Sequence, residues 1–339
     1  MKSFASDNYA GVLPEVMEAL NKANHGHARS YGADDVTQDT LQLFREAFGA
    51  DVDVHFVFNG TGANVLSISS ATQTFNSVLC SDSSHIYCDE SSAPETFTGC
   101  RFFPLKSNDE GKLSTEAIRQ RLIRKGDMHY AQSSILSITQ TTEYATIYSL
   151  DELKAIGDLT KSNNLYYHID GSRFFNAAAA LGCTLKEMST DVGVDILSLG
   201  GTKAGMMYGE AVVVFNKELS KHLAYKHKQS MQLASKNRFI SAQFGAMLKE
   251  ELWRKHAAHA NAMAQLLQQF IADIPGVQLT KPTQANGVFA IHPLQWNEKM
   301  WEHYPYYVWD ERTNEVRIMC SWDTTEEELK DFAALMASL

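Results

Sequence analysis

The chain has 339 residues, 44% hydrophobic and 21% charged, an ordinary globular composition long enough for a large core and a second, smaller domain. Its net charge of -10 opposes phosphate backbones and anionic bilayers, so the fitting partner is a polar small molecule, with no nucleic acid and no membrane. Five cysteines without a C-x-x-C pair (Cys80, Cys88, Cys100, Cys183, Cys320) read as reduced core residues, and with no apolar leader or membrane-length run a cytoplasmic address is expected.

In chain order, Pro14 opens a helix over 15–24 with Val16, Ala19 and Leu20 at helical spacing, and Gly26 stops it. A loop over 25–35 follows, after which Thr37 is expected to cap the helix carrying Leu41, Phe44 and Phe48. His25 and His27 lack carboxylate or cysteine partners at usable spacing, so no metal site is assigned. Residues 52–58 alternate and are β-branched, which predicts a strand that feeds Asn59-Gly60-Thr61-Gly62 into an apolar helix. Glycines between a strand and a helix N-terminus cradle an anion, because unpaired N–H groups and the positive dipole end face one point; many such turns exist for geometry alone. His85 follows the short strand 77–80 at the same sheet edge. There an imidazole could stack on a heteroaromatic ring and accept a proton, or be structural.

Alternation continues through strand 101–105, helix 114–124, strand 134–139, helix 149–163 and strand 165–169. That rhythm predicts an α/β fold, a mostly parallel sheet wrapped by helices with ligands at the strands' carboxyl ends. Asp170 ends an apolar strand, where a carboxylate needs a cation; a protonated pyridine nitrogen or Arg173 would serve. Two further buried strands, 196–199 and 211–215, flank Gly200-Gly201-Thr202-Lys203. Lys203 on that bare turn is either a solvated loop charge or a Schiff-base nucleophile. A basic segment over 217–228 reads as a solvated or subunit-facing surface, and 239–271 as one long helical stretch with His256 and His259 on an exposed face. From Gly276 the pattern is α+β: strand 287–292, helix 296–303, strands 306–309 and 316–320, and a last helix 325–338 with a capping box of Thr324 and Glu327. The division expected is 1–249 for a large unit, including an N-terminal segment 1–14, and 250–339 for a small C-terminal unit.

A phosphate cradle (Gly60, Thr61, Gly62), a stacking His85, a ring-nitrogen partner Asp170 and a Schiff-base Lys203 are the protein groups that pyridoxal phosphate (PLP) requires. With Ser6-Asp7-Asn8, Tyr31-Gly32, the 168–173 segment, the 233–238 segment and 316–323, the sequence resembles fold-type I PLP enzymes of the β-eliminating lyase group, and within them the low-specificity L-threonine aldolases of the phenylserine aldolase-like kind. The resemblance implies retro-aldol cleavage of β-hydroxy-α-amino acids (L-threonine, L-allo-threonine, L-phenylserine) to glycine and an aldehyde. It implies PLP on Lys203 beside Thr202, Asp170 on the ring nitrogen, and phosphate on Gly60 and Thr61. Ser6, Arg173 and Arg317 would hold the substrate carboxylate with Tyr31 nearby, and Arg238 would approach the phosphate from a neighbouring subunit of a homotetramer with sites at dimer interfaces. His85 is the first candidate base. In a segment where many members carry a second histidine this chain has Thr142, which cannot act as a base at neutral pH. The alternatives are a β-eliminating lyase or aminotransferase with the same cofactor, and a catalytically silent PLP-binding oligomer.

Overall fold

In a computed structural model, residues 2–49 and 51–339 are described. Met1, where the expected large unit begins, and Ala50 lie outside them. Seven strands in chain order are β1 (Asp53–Val57), β2 (Asn76–Ser81), β3 (Arg101–Leu105), β4 (Gln132–Thr139), β5 (Tyr166–Gly171), β6 (Ile196–Leu199) and β7 (Glu210–Val214). They form one sheet in the order β1-β7-β6-β5-β4-β2-β3, in which only β7 runs against its neighbours. Parallel neighbours need crossover connections, which the intervening helices provide. All residues of β6 and β7 are buried, as their apolar composition requires for strands covered on both faces.

Register sets the level of the functional groups. Thr139 pairs with Asp170 and Asp170 with Ser198, so the carboxyl ends of β4, β5 and β6 finish together. The chain leaves that edge into Lys203 and Arg173, and the helix Gly60–Ala71 begins beside it.

A second sheet holds β8 (Gln278–Leu279), β9 (Gly287–Ile291), β10 (Tyr307–Asp310) and β11 (Glu315–Met319), antiparallel throughout in the order β10-β11-β9-β8. Its core includes Leu267, Val288, Ile318 and Phe332. The N-terminal segment spans both units: Phe4 packs into this second core and exchanges backbone bonds with Pro305 and Met319, whereas Leu13 packs into the first.

Several local expectations change. The helix Asp35–Phe48 is capped by Asp34, whose carboxylate accepts from both the N–H and the hydroxyl of Thr37. The stretch 239–271 is two helices, Arg238–Leu248 and Leu252–Ile271, because Glu250 and Glu251 take left-handed φ of 52° and 53°, which an α-helix cannot accommodate. On the second of these His256 turns inward, edge-on to Trp322, while His259 remains exposed with its Nε2 2.7 Å from Thr324 O. The last helix, Glu326–Ala337, is capped by Thr325 and Glu328, one residue later than expected. Two overlapping T-x-x-E matches exist, and the hydroxyl of Thr324 is already engaged by the N–H of Ser321. Among the described residues no helix is long and apolar enough to cross a membrane.

Candidate active site

Lys203 sits in the single turn Thr202–Ala204 between β6 and β7. The turn needs its glycines: a Cβ on Gly200 would lie 2.2 Å from Ser172 O, and Gly205 has φ +107° with its α-carbon against Leu13 and Trp322. Glu210, at the start of β7, accepts the N–H of Gly201 and pins the loop from below. Burial, and then the charge of Arg173, lower the pKa of Lys203. A lysine so placed presents more free amine at neutral pH than a solvated one, which is what a nucleophile requires.

Two adjoining hollows meet at this lysine. One, of about 290 Å³, is lined by Asn59, Gly60, Thr61, Asp170, Thr202 and Lys203 among others. The other, of about 470 Å³, is lined by Ser6, His85, Glu143, Arg173, Lys203 and Arg317 among others. Two larger hollows, of about 860 and 640 Å³, lie elsewhere and contain none of these groups.

The first hollow ends at the N-terminus of Gly60–Ala71. Asn59 caps that helix by accepting the N–H of Gly62 at 2.8 Å. Gly62 therefore differs from the expectation: its N–H is taken, and its α-carbon faces Gln232, whose side chain lies 2.4–2.8 Å from where a Cβ would stand. Gly60 has nothing within 4 Å of that position, so the hollow opens at Gly60 and Thr61. A phosphate fits such an opening at a helix N-terminus.

Across the hollow, Asp170 is 5% exposed and meets only neutral donors, Asn64 Nδ2 at 2.8 Å and the N–H of Ser172 at 3.1 Å. A buried carboxylate so held matches a protonated pyridine nitrogen. The same Asn64 Nδ2 donates to Glu90 Oε1 at 2.8 Å, and His85 Nδ1 donates to that oxygen at 2.8 Å. His85, which opens the one-turn helix His85–Cys88, is thereby oriented, and its pKa rises, chiefly through the hydrogen bond to Glu90. Helix N-terminus, buried carboxylate, flat imidazole and desolvated lysine together fit PLP.

The second hollow carries the positive charge. Arg173 does not pair with Asp170. It forms a two-pronged bond with Asp7, Nε to Oδ2 at 2.7 Å and Nη2 to Oδ1 at 2.8 Å, leaving Nη1. Arg317 stands over Trp309 and Tyr307, 4.7 and 5.5 Å from the ring centres, and its Nε is buried without a hydrogen-bond partner. Burial, and then the charge of Arg173, lower its pKa to about 10. An unneutralised guanidinium in a cleft attracts a carboxylate, and Ser6, also lining it, adds a hydroxyl.

Tyr31 and Arg238 stay outside both hollows. Tyr31 is exposed under the ammonium of Lys228, and Arg238 donates to the carbonyls of His25 and Gly26 at 3.4 Å. Asn64, Glu90, Glu143, Glu210 and Gln232 join the site without a role having been expected for them, and so does Asp7 of the Ser6-Asp7-Asn8 segment. Asn64 lies within the glycine-turn motif and Glu90 five residues after His85, but nothing local marks either as a site residue.

Comparison with known proteins places the chain among relatives of one name and fold. The chain is 44% identical to a low specificity L-threonine aldolase of a Pseudomonas species, over 98% of this chain and 96% of that one. Its identity to the protein of the same name from Pseudomonas aeruginosa is 43%, with the same coverage of both chains. The structure superposes on a threonine aldolase of Leishmania major with a TM-score of 0.93, at 27% identity, covering 100% of this chain and 99% of that one. The fold is that of fold-type I PLP enzymes. With residues 3–292 matching its pattern, the chain belongs to the β-eliminating lyase family.

Proposed function

We propose that this chain is a PLP-dependent aldehyde-lyase, a low-specificity L-threonine aldolase that converts L-threonine, L-allo-threonine and L-phenylserine to glycine and an aldehyde. The observation that carries the reading is the single cleft shared by Lys203, His85, Arg173 and Arg317. The shared name of the relatives supports it. In this reading Lys203 would hold the cofactor covalently through Nζ, Asp170 would hold its ring nitrogen, and the amides at Gly60 and Thr61 would take its phosphate. Gly62 and Thr202 shape the two loops that approach it. The bound group supplies an electron sink for bonds at the substrate's α-carbon.

The chain's own residues then orient the substrate. Arg317, Arg173 Nη1 and Ser6 clamp the carboxylate, and the clamp selects which bond at the α-carbon is presented for cleavage. His85 would lie against the cofactor's ring, and with Nδ1–H committed to Glu90 its Nε2 would be where it exchanges protons. Purified protein mixed with each of the three amino acids is expected to release glycine with acetaldehyde or benzaldehyde. Pyruvate and ammonia from serine or tyrosine, with no glycine, would instead identify a β-eliminating enzyme.

We read the protein as a cytoplasmic homotetramer divided near residue 249, with Arg238 and Tyr31 serving a neighbouring subunit's site. Their places outside their own cleft, Tyr31 exposed and Arg238 half-buried, support that reading. Mixing inactive Lys203→Ala and Arg238→Ala subunits is expected to restore about a quarter of wild-type activity, because half of randomly assembled dimers then contain one intact site of two. No recovery after verified subunit exchange would show that Arg238 does not serve a neighbouring subunit's site.

A further inference from the structure

The aldolase reading needs a group for the β-hydroxyl proton. Thr142 is withdrawn from that work: it is fully buried, with Oγ1 2.6 Å from Thr146 Oγ1 and donating to Glu110 O at 3.0 Å. The next residue is not. Glu143 lines the cleft with Lys203, His85 and Arg317, and its Oε1 accepts the N–H of His85 at 2.7 Å and the hydroxyl of Thr139 at 2.8 Å. Both partners are neutral donors on one oxygen, which leaves Oε2 for the cleft.

Resting on the aldolase reading, we propose that Glu143 accepts the β-hydroxyl proton during carbon–carbon cleavage in this chain. As the O–H bond breaks toward Oε2, the oxygen's electron pair forms the aldehyde C=O, and the Cα–Cβ pair ends in the new Cα–H bond of glycine. One proton is taken and one delivered, and nothing is oxidised or reduced.

The electrostatics suit the role. Burial raises the pKa of Glu143 against its two hydrogen bonds, the charge of Asp170 adds to the rise, and the result is about 7. The hydrogen bond to Glu90 raises the pKa of His85 and occupies its Nδ1. Cys80, Cys88, Tyr144 and Tyr148 also feel Glu143, and each is shifted upward, away from neutrality. The cations of the cleft are Lys203, Arg173 and Arg317, with Asp89 at its wall.

The test compares holoenzymes. Glu143→Gln keeps shape and the Oε1 acceptor but cannot take a proton, so kcat for L-threonine is expected to fall about 10²-fold or more. The absorbance change on adding glycine should titrate with an unchanged midpoint, because the carboxylate clamp is intact. Wild-type kcat should decline as pH falls through 7, and that limb should vanish in Glu143→Gln. Thr139→Val removes a donor to the ionised carboxylate and should move the limb to higher pH. A Glu143→Gln enzyme within about threefold of wild-type kcat and keeping the limb overturns the proposal. So does one whose glycine binding collapses in parallel with kcat, which would mark a structural part. If the variant does not fold, a wild-type profile with no limb near neutrality has the same consequence. Wild-type protein that releases no glycine from any of the three amino acids overturns the aldolase reading itself.

Discussion

Replacing Lys203 by alanine is expected to reduce glycine formation on the order of 10⁴-fold or more while leaving a yellow, dissociable cofactor in the protein. On the proposed roles of Lys203 the size follows from losing two contributions at once: covalent attachment, and proton transfer by a positioned amine, which alone contributes about 10²–10⁴-fold. The retained cofactor follows from the rest of the site. Gly60, Thr61, Asp170 and His85 hold their places through Asn59, Asn64 and Glu90, none of which depends on the lysine for its hydrogen bonds. Borohydride treatment of the wild type should leave a pyridoxyl adduct on the peptide containing residues 200–205, and the variant should carry none. Full activity in Lys203→Ala would remove the lysine from the mechanism.

The parts of this site that are local in the chain were legible as sequence. A β-branched run followed by Asn59-Gly60-Thr61 specifies a strand, a turn and a helix start within a few residues, and Gly200-Gly201-Thr202-Lys203 specifies a bare turn in the same way. Strand-helix alternation then implies that both turns lie at one sheet edge, where they are found. Partners chosen by distance in space were not legible. Arg173 is three residues from Asp170, yet its carboxylate partner is 166 residues away, because Asp7 is carried in by the N-terminal segment. Glu143 has the same explanation: its proton-binding behaviour depends on burial and on an N–H from His85, 58 residues earlier, not on its immediate neighbours. The overlapping capping boxes at Thr324 and Thr325 differ for a third reason. A four-residue pattern cannot tell which threonine a loop has already engaged.

Asp7→Ala is expected to destabilise the protein by about 3–5 kcal/mol, the usual consequence of leaving one member of a buried ion pair uncompensated. That is a large share of the roughly 5–15 kcal/mol that holds a typical domain folded. The Asp7 carboxylate is 2% exposed and the Arg173 side chain 9%, so water replaces little of what is lost. Asp7 also receives Asn286 Nδ2 at 3.1 Å, so it ties three segments together: the N-terminal turn, the end of β5 and the loop before β9. Burial would raise its pKa. The charge and hydrogen bond of Arg173, with Lys203 and Asn286, outweigh burial and hold it below the usual carboxylate range. The sign follows: a carboxylate with a depressed folded pKa contributes stability that is full above the unfolded value of about 3.9 and is lost as pH falls through the folded one. Urea unfolding of wild type and Asp7→Ala should therefore differ most at neutral pH and converge only where acid protonates Asp7 in the folded protein. A double variant, Asp7→Leu with Arg173→Met, should recover much of the loss, because no charge is then left buried and unpaired. Curves separated equally at neutral pH and at the acid end of the stable range, or a double variant no more stable than Asp7→Ala, would assign the pin to packing and not to the ion pair.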